Sequence, residues 1–306
     1  MARSLRAVTE ASAYTDIYYQ SADSLRLYAR DYATHDSELA PVLCLPGLTR
    51  SSKDFETIAP VIAQKRRVIA VDFRGRGLSQ HAPDPQTYRA DVELADTVAL
   101  LDNLKIDRVA VIGTSRGGIV AALMAAQHKP RLAGILFNDI GSRLDPAGLI
   151  RIRNNLGVKN EFKSWDDAVY VLKRSNPGFE KLTADEWRSF ADRLFREIDD
   201  VPHVNYDSAL ALTFPTVENI ESGKPSDLRE LFSHSRDFPV AVLRGEHSDL
   251  LSTQTVEAMK QDNTALQSTL VRERGHAPFL DEPESLDAIN CWLLSVDSYV
   301  LRALPA

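Results

Sequence analysis

Short apolar runs alternate along the chain with longer stretches whose apolar residues recur at helical spacing. The runs fall at 41–45, 67–73, 108–112, 132–137, 239–243 and 266–271. Between them, 88–104 carries Val92, Leu94, Val98, Leu100, Leu101 and Leu104 at roughly helical spacing, and 284–304 repeats the pattern. This alternation predicts βαβ units and a mostly parallel sheet covered by helices on both faces. Residues 16–29 hold two β-rich runs split by Ser21-Ala22-Asp23-Ser24, which suits an antiparallel hairpin at the sheet edge.

Residues 143–237 break the alternation. They show no clear strand, are rich in charge, and scatter Trp165, Tyr170, Trp187, Phe190, Phe195 and Tyr206 through helical patterns. We read them as a helical cap inserted into an α/β core formed by 1–142 and 238–306. Ser164 before Trp165-Asp166-Asp167 and Thr183 before Asp185-Glu186 signal helix starts, because acids suit a first helical turn. Asn176-Pro177-Gly178 and Ser222-Gly223-Lys224-Pro225 read as turns between cap helices.

Composition adds mainly exclusions. The chain has 306 residues, 44% hydrophobic and 26% charged, which is ordinary globular usage. A net charge of -7 and the lack of a basic block argue against nucleic acid and acidic membrane surfaces as partners. Cys44 and Cys291 lie far apart in apolar or helical patterns and read as two buried thiols. No continuous apolar stretch precedes Asp16, so neither a secretory signal nor an anchor is expected, and the cytoplasm is the default compartment. No oligomeric state is implied.

The chemistry begins at Gly113-Thr114-Ser115-Arg116-Gly117, which follows the run Val109 to Ile112 and precedes a strong helix former. This is G-x-S-x-G in strand-turn-helix context. A sharp turn there lifts the serine from the sheet, and small residues two before and two after it let the backbone fold without clashes. The hydroxyl then sits at a helix N-terminus, whose free N–H groups favour a developing negative charge. Ser115 is the expected nucleophile. Among the seven histidines, His35 and His81 lie in polar loops and His128 ends a helix. His276 follows the last strand through Arg272-Glu273-Arg274-Gly275, at the end of the sheet where open α/β folds place their chemistry, and is the expected base.

Four motifs together resemble the α/β-hydrolase superfamily over almost the whole chain. They are Leu45-Pro46-Gly47-Leu48, Asp72-Phe73-Arg74-Gly75-Arg76-Gly77-Leu78-Ser79, the serine turn, and Gly275-His276 with Pro278. Pro46 departs from the family, which often has His before the glycine of the first motif. The resemblance implies an α/β-hydrolase fold, chain order Ser, acid, His, and two oxyanion donors, the backbone N–H groups of Leu48 and Arg116. By that order Asp249, after the run 239–243, is the expected acid, with Asp139 and Glu246 as alternatives. The Arg116 side chain is open to two readings, a hold on a substrate carboxylate or a pair with a neighbouring acid. In the family the Asp72-Arg74 turn is structural, which argues against phosphate binding there.

No metal or nucleotide motif is present, so cofactor-free catalysis is expected. A serine at 115 excludes haloalkane dehalogenases and most epoxide hydrolases of the superfamily, which need a carboxylate there. The leading expectation is a carboxylic ester hydrolase, an esterase or lactonase acting on a small or medium substrate through an acyl-enzyme, with cap aromatics lining the pocket. The alternatives are carbon-carbon bond hydrolysis of a ring-cleavage dienoate, for which Arg116 is the visible support, and a small-ligand receptor keeping the fold.

Overall fold

The computed structural model describes residues 14–33, 37–158, 162–223 and 227–302. The expectations for the first thirteen residues, for His35, for Lys224-Pro225 and for the end of the last helix at Leu304 lie outside the described residues.

In chain order the core opens with β1 (Thr15–Gln20), β2 (Arg26–Tyr32), β3 (Val42–Leu45), α1 (Ile58–Ala63) and β4 (Val68–Asp72). It continues through α2 (Ala90–Asn103), β5 (Val109–Thr114), α3 (Arg116–Gln127) and β6 (Leu132–Asn138). The inserted segment supplies α4 (Pro146–Asn155), α5 (Trp165–Ser175), α6 (Ala184–Leu194), β7 (Phe195–Ile198), β8 (Val201–Val204), α7 (Val217–Glu221) and α8 (Arg229–Ser233). The chain then returns with β9 (Val240–Gly245), α9 (Thr253–Asp262), β10 (Gln267–Val271) and α10 (Pro283–Arg302).

Eight strands form one sheet in the order β1-β2-β4-β3-β5-β6-β9-β10. The pairs β1 with β2 and β2 with β4 are antiparallel, and every later pair is parallel. Each expected run became a strand of this sheet, and the expected hairpin lies at its edge. All residues of β3, β4, β5 and β6 are buried, as a sheet covered on both faces requires. One face packs on α2 and α3 around Leu100, Val120 and Met124. The other packs on α1 and α10 around Phe55, Ile62 and Trp292. Cys44 is buried between these layers, but Cys291 is exposed. The buried face of α10 runs through Ile289, Trp292, Leu293 and Val296, and position 291 falls on the opposite side.

The segment between β6 and β9 is not all helical as expected. Phe195–Ile198 and Val201–Val204 pair antiparallel, with Ile198 opposite Val201 across a two-residue turn. Asp199 and Asp200 both take positive φ, 51° and 62°, which matches the right-handed twist of a tight hairpin. Ser164 and Thr183 do cap α5 and α6, and Thr183 with Glu186 forms a reciprocal capping box. Phe162, Phe179, Trp187, Phe190 and Phe195 make a small core of their own, completed by Phe279 from the loop after His276.

Candidate active site

Ser115 stands between β5 and α3 with φ 49° and ψ -111°, a conformation that L residues avoid and that a packed surrounding must enforce. Space explains the flanking glycines. A Cβ on Gly117 would lie 2.1 Å from the Leu45 carbonyl oxygen, and one on Gly113 would lie 2.7 Å from the Gly117 carbonyl oxygen. Only glycine lets α3 press this closely on the ends of β3 and β5, and that pressure aims the hydroxyl out of the sheet.

His276 Nε2 lies 2.9 Å from Ser115 Oγ. Its Nδ1 lies 2.7 Å from Asp139 Oδ2, and the histidine and aspartate side chains are 9% and 0% exposed. The three side chains form one hydrogen-bonded line from the pocket into the protein. Asp139 directly follows β6 with φ 54°, a left-handed turn that aspartate tolerates better than most residues. Its Oδ1 accepts from the Gly245 N–H at 2.8 Å, and its Oδ2 also accepts from Ser248 Oγ at 2.6 Å.

This geometry corrects the expectation for the acid. Asp249 does not face Nδ1; its carboxylate takes a bidentate pair of bonds from Arg151 of α4, at 2.5 and 2.8 Å. Burial alone would raise the Asp249 pKa, but the Arg151 guanidinium outweighs it and holds the carboxyl below the usual range. Glu246, the other alternative, is exposed and accepts from the Glu273 N–H. Ser248 and Gly245, which sequence reasoning missed, are the groups that seat Asp139.

The Leu45-Pro46-Gly47-Leu48 loop faces the serine: a Cβ on Gly47 would come within 4.0 Å of Ser115 Cβ. The Gly47 carbonyl accepts from the Arg50 N–H, so the Leu48 N–H in the same peptide plane points the opposite way. The Arg116 N–H is the first of α3 and has no intrahelical acceptor. Arg116 itself donates from Nε to Glu93 Oε2 at 2.7 Å, which closes its reading as a free substrate contact. Asp72 and Arg74 are tied into loops as expected: Asp72 accepts from the Ser52 and Leu78 N–H groups, and Arg74 pairs with Asp96 and Asp23.

A cavity of about 230 Å³ opens on Ser115 and His276. Leu48, Ile152, Leu156, Phe195, Val204 and Phe279 supply much of its apolar wall. Of the aromatics of this segment expected there, Phe195 and Tyr206 line it, whereas Trp187 and Phe190 pack into the small core around Phe179 and Phe279 and Tyr170 is exposed. Three arginines also line the cavity, and each has an acid: Arg50 with Asp54, Arg151 with Asp249, Arg193 with Asp281. Among the described residues no His, Cys, Asp or Glu group of three is placed to hold a metal ion, and no helix is long and apolar enough to cross a membrane.

The chain is 30% identical over 251 residues to a 3-hydroxybutyrate-oligomer hydrolase of Cupriavidus necator, which spans 80% of this chain and 85% of the relative. A shorter match, 37% over 87 residues, is to a 2-hydroxymuconate semialdehyde hydrolase of a Pseudomonas species and covers 28% of this chain and 30% of the relative. The crystal structure of an α/β hydrolase from Novosphingobium aromaticivorans superposes with a TM-score of 0.86 at 37% identity, over 94% of this chain and all of that one. The family model for the α/β-hydrolase fold matches residues 40–283, from just before β3 to the start of the last helix. Sheet order, serine turn, histidine loop and these matches agree, and the chain belongs to the α/β-hydrolase family.

Proposed function

We propose that this protein is a serine hydrolase that cleaves small or medium carboxylic esters or lactones through an acyl-enzyme. One observation carries the reading: the hydrogen-bonded line Ser115, His276, Asp139 opens into a compact, largely apolar cavity. Ser115 Oγ attacks the ester carbonyl as its proton passes to His276 Nε2, and Asp139 stabilises the imidazolium. The Leu48 and Arg116 N–H groups take the oxyanion. The alcohol leaves with the proton from His276, the acyl group stays on Ser115, and water then repeats the sequence to release the acid.

The paired arginines favour an ester or lactone over a ring-cleavage dienoate. A dienoate must take its carboxylate into the pocket beside the bond that is cleaved, where it needs a free counter-ion, and Arg50, Arg151, Arg193 and Arg116 are each held by an acid of the protein; a hydroxyacid oligomer can leave its terminal carboxylate in solvent at the pocket mouth. The Cupriavidus necator relative is named for oligomers of 3-hydroxybutyrate, so short hydroxyacid esters are the first natural substrates to try. The test is a panel at equal concentration: p-nitrophenyl esters from acetyl to palmitoyl, aliphatic and homoserine lactones, 3-hydroxybutyrate dimers and trimers, and a dienoate. The highest kcat/KM is expected for a short acyl ester, a lactone or a hydroxybutyrate oligomer. The value should fall beyond about eight to ten carbons, since each methylene left outside the cavity forgoes about 0.8 kcal/mol. A palmitoyl preference refutes the compact-substrate reading. A dienoate preferred over every ester reassigns the bond cleaved, and silence with stoichiometric ligand binding makes the protein a receptor.

A further inference from the structure

The two backbone groups that receive the oxyanion in this reading lead to a single buried carboxylate. Glu93 lies in the first turn of α2 and is fully buried, and it does not line the cavity. Its Oε2 accepts from Arg116 Nε at 2.7 Å, and its Oε1 lies 2.8 Å from Arg76 Nη1. Arg76, also fully buried, donates from Nε to the Leu48 carbonyl at 2.7 Å and from Nη1 to the Arg74 carbonyl at 2.7 Å. Arg116 donates further from Nη2 to the Tyr88 carbonyl at 3.2 Å. One donor loop is thus reached through Arg76 and the other through Arg116, and both arginines converge on Glu93.

We propose that Glu93 is a positioning residue that holds the Leu48 loop and the start of α3 in register, so that their N–H groups meet one oxyanion. This rests on the serine-hydrolase reading of the site. Donors to an oxyanion work only when fixed in advance, because reorganising them at the moment of reaction consumes the advantage they give. Leu48 sits on a loop and Arg116 on a helix end, each three residues past the point, Leu45 with Gly113, where the ladder between β3 and β5 stops. A carboxylate hydrogen-bonded to Arg116 and ion-paired with Arg76 carries the tie beyond that point, and its burial removes the water that would weaken it. Burial acts to raise the Glu93 carboxyl, but the Arg116 and Arg76 charges outweigh it and hold the carboxyl below its usual range.

The test uses the full chain and two readouts: the rate at which a fluorophosphonate labels Ser115, and steady-state hydrolysis of p-nitrophenyl butyrate. Glu93→Gln keeps the shape and loses the charge. Labelling and kcat should fall together, roughly 10- to 100-fold, with KM within about twofold, because displacing a donor costs less than the 10²–10³ of removing one. Glu93→Asp should fall in between. Should Glu93→Gln fail to fold, Arg116→Met cuts one arm alone and should slow labelling by a smaller factor. Parental labelling in both Glu93→Gln and Arg116→Met, faster labelling in either, or a loss confined to KM overturns the positioning role. Ser115→Ala separates the two levels. If that variant still hydrolyses the ester, the serine-hydrolase reading falls; if it is silent while the other variants label normally, only the role of Glu93 falls.

Discussion

Asp139 receives three donors, from His276, Ser248 and Gly245, and so has no freedom to turn away from the imidazole. Asp139→Asn should lower kcat on the order of 10⁴-fold by favouring the wrong histidine tautomer. Asp249→Asn only loosens the ion pair with Arg151 and should cost less than about tenfold, since median pairs of this exposure are worth about 1 kcal/mol or less. Ester hydrolysis by the two purified variants decides the matter, and the reverse ranking refutes the Asp139 assignment. The meeting of Ser115 with His276 was legible because the signals are local: a turn that only glycine neighbours permit, and a histidine just past a strand. The acid was not, because the group that holds Asp249, Arg151, stands 98 residues before it, and those that hold Asp139, Gly245 and Ser248, stand 106 and 109 residues after it, so they meet only in the folded chain.

Among the elements, β7 and β8 were the ones left unread. Four-residue strands carry too few alternations to stand out, and Asp199-Asp200 lacks the glycine that announces a two-residue hairpin turn. The longer buried strands and the amphipathic helices showed clear periods, so the sheet was legible almost entirely. Replacing the turn by Asp199→Asn with Asp200→Gly should relieve two exposed left-handed residues and stabilise the fold by roughly 0.5–1 kcal/mol. Calorimetry should show a higher Tm with ester turnover unchanged; a lower Tm would mean that the turn carries no conformational cost. Thr183→Ala removes the capping box of α6 and should destabilise by about 1 kcal/mol, lowering Tm by roughly 2 °C in the same assay.

Across the whole molecule, the buried charges set how the fold answers to acid. The folded-state pKa of Glu93 is depressed, so its contribution to stability is complete above the ordinary glutamate value of about 4.3 and is lost as pH falls through the folded value. The gap in Tm between the parent and Glu93→Gln should therefore be widest near neutrality and narrow below about pH 4. A gap that is constant with pH would mean that the carboxylate charge adds nothing to the fold. Asp139 has a different reach. It is the first residue after β6, and its bonds to Gly245 and Ser248 join the chain across 106 and 109 residues, just where the cap departs and returns. The carboxylate that orients the imidazole also pins the neck of the insertion. Since the entropy of closing a long loop grows only slowly with its length, descendants of this fold are free to lengthen, shorten or exchange the lid above that knot. A change of substrate preference is then to be sought between β6 and β9, with the line Ser115, His276, Asp139 left in place.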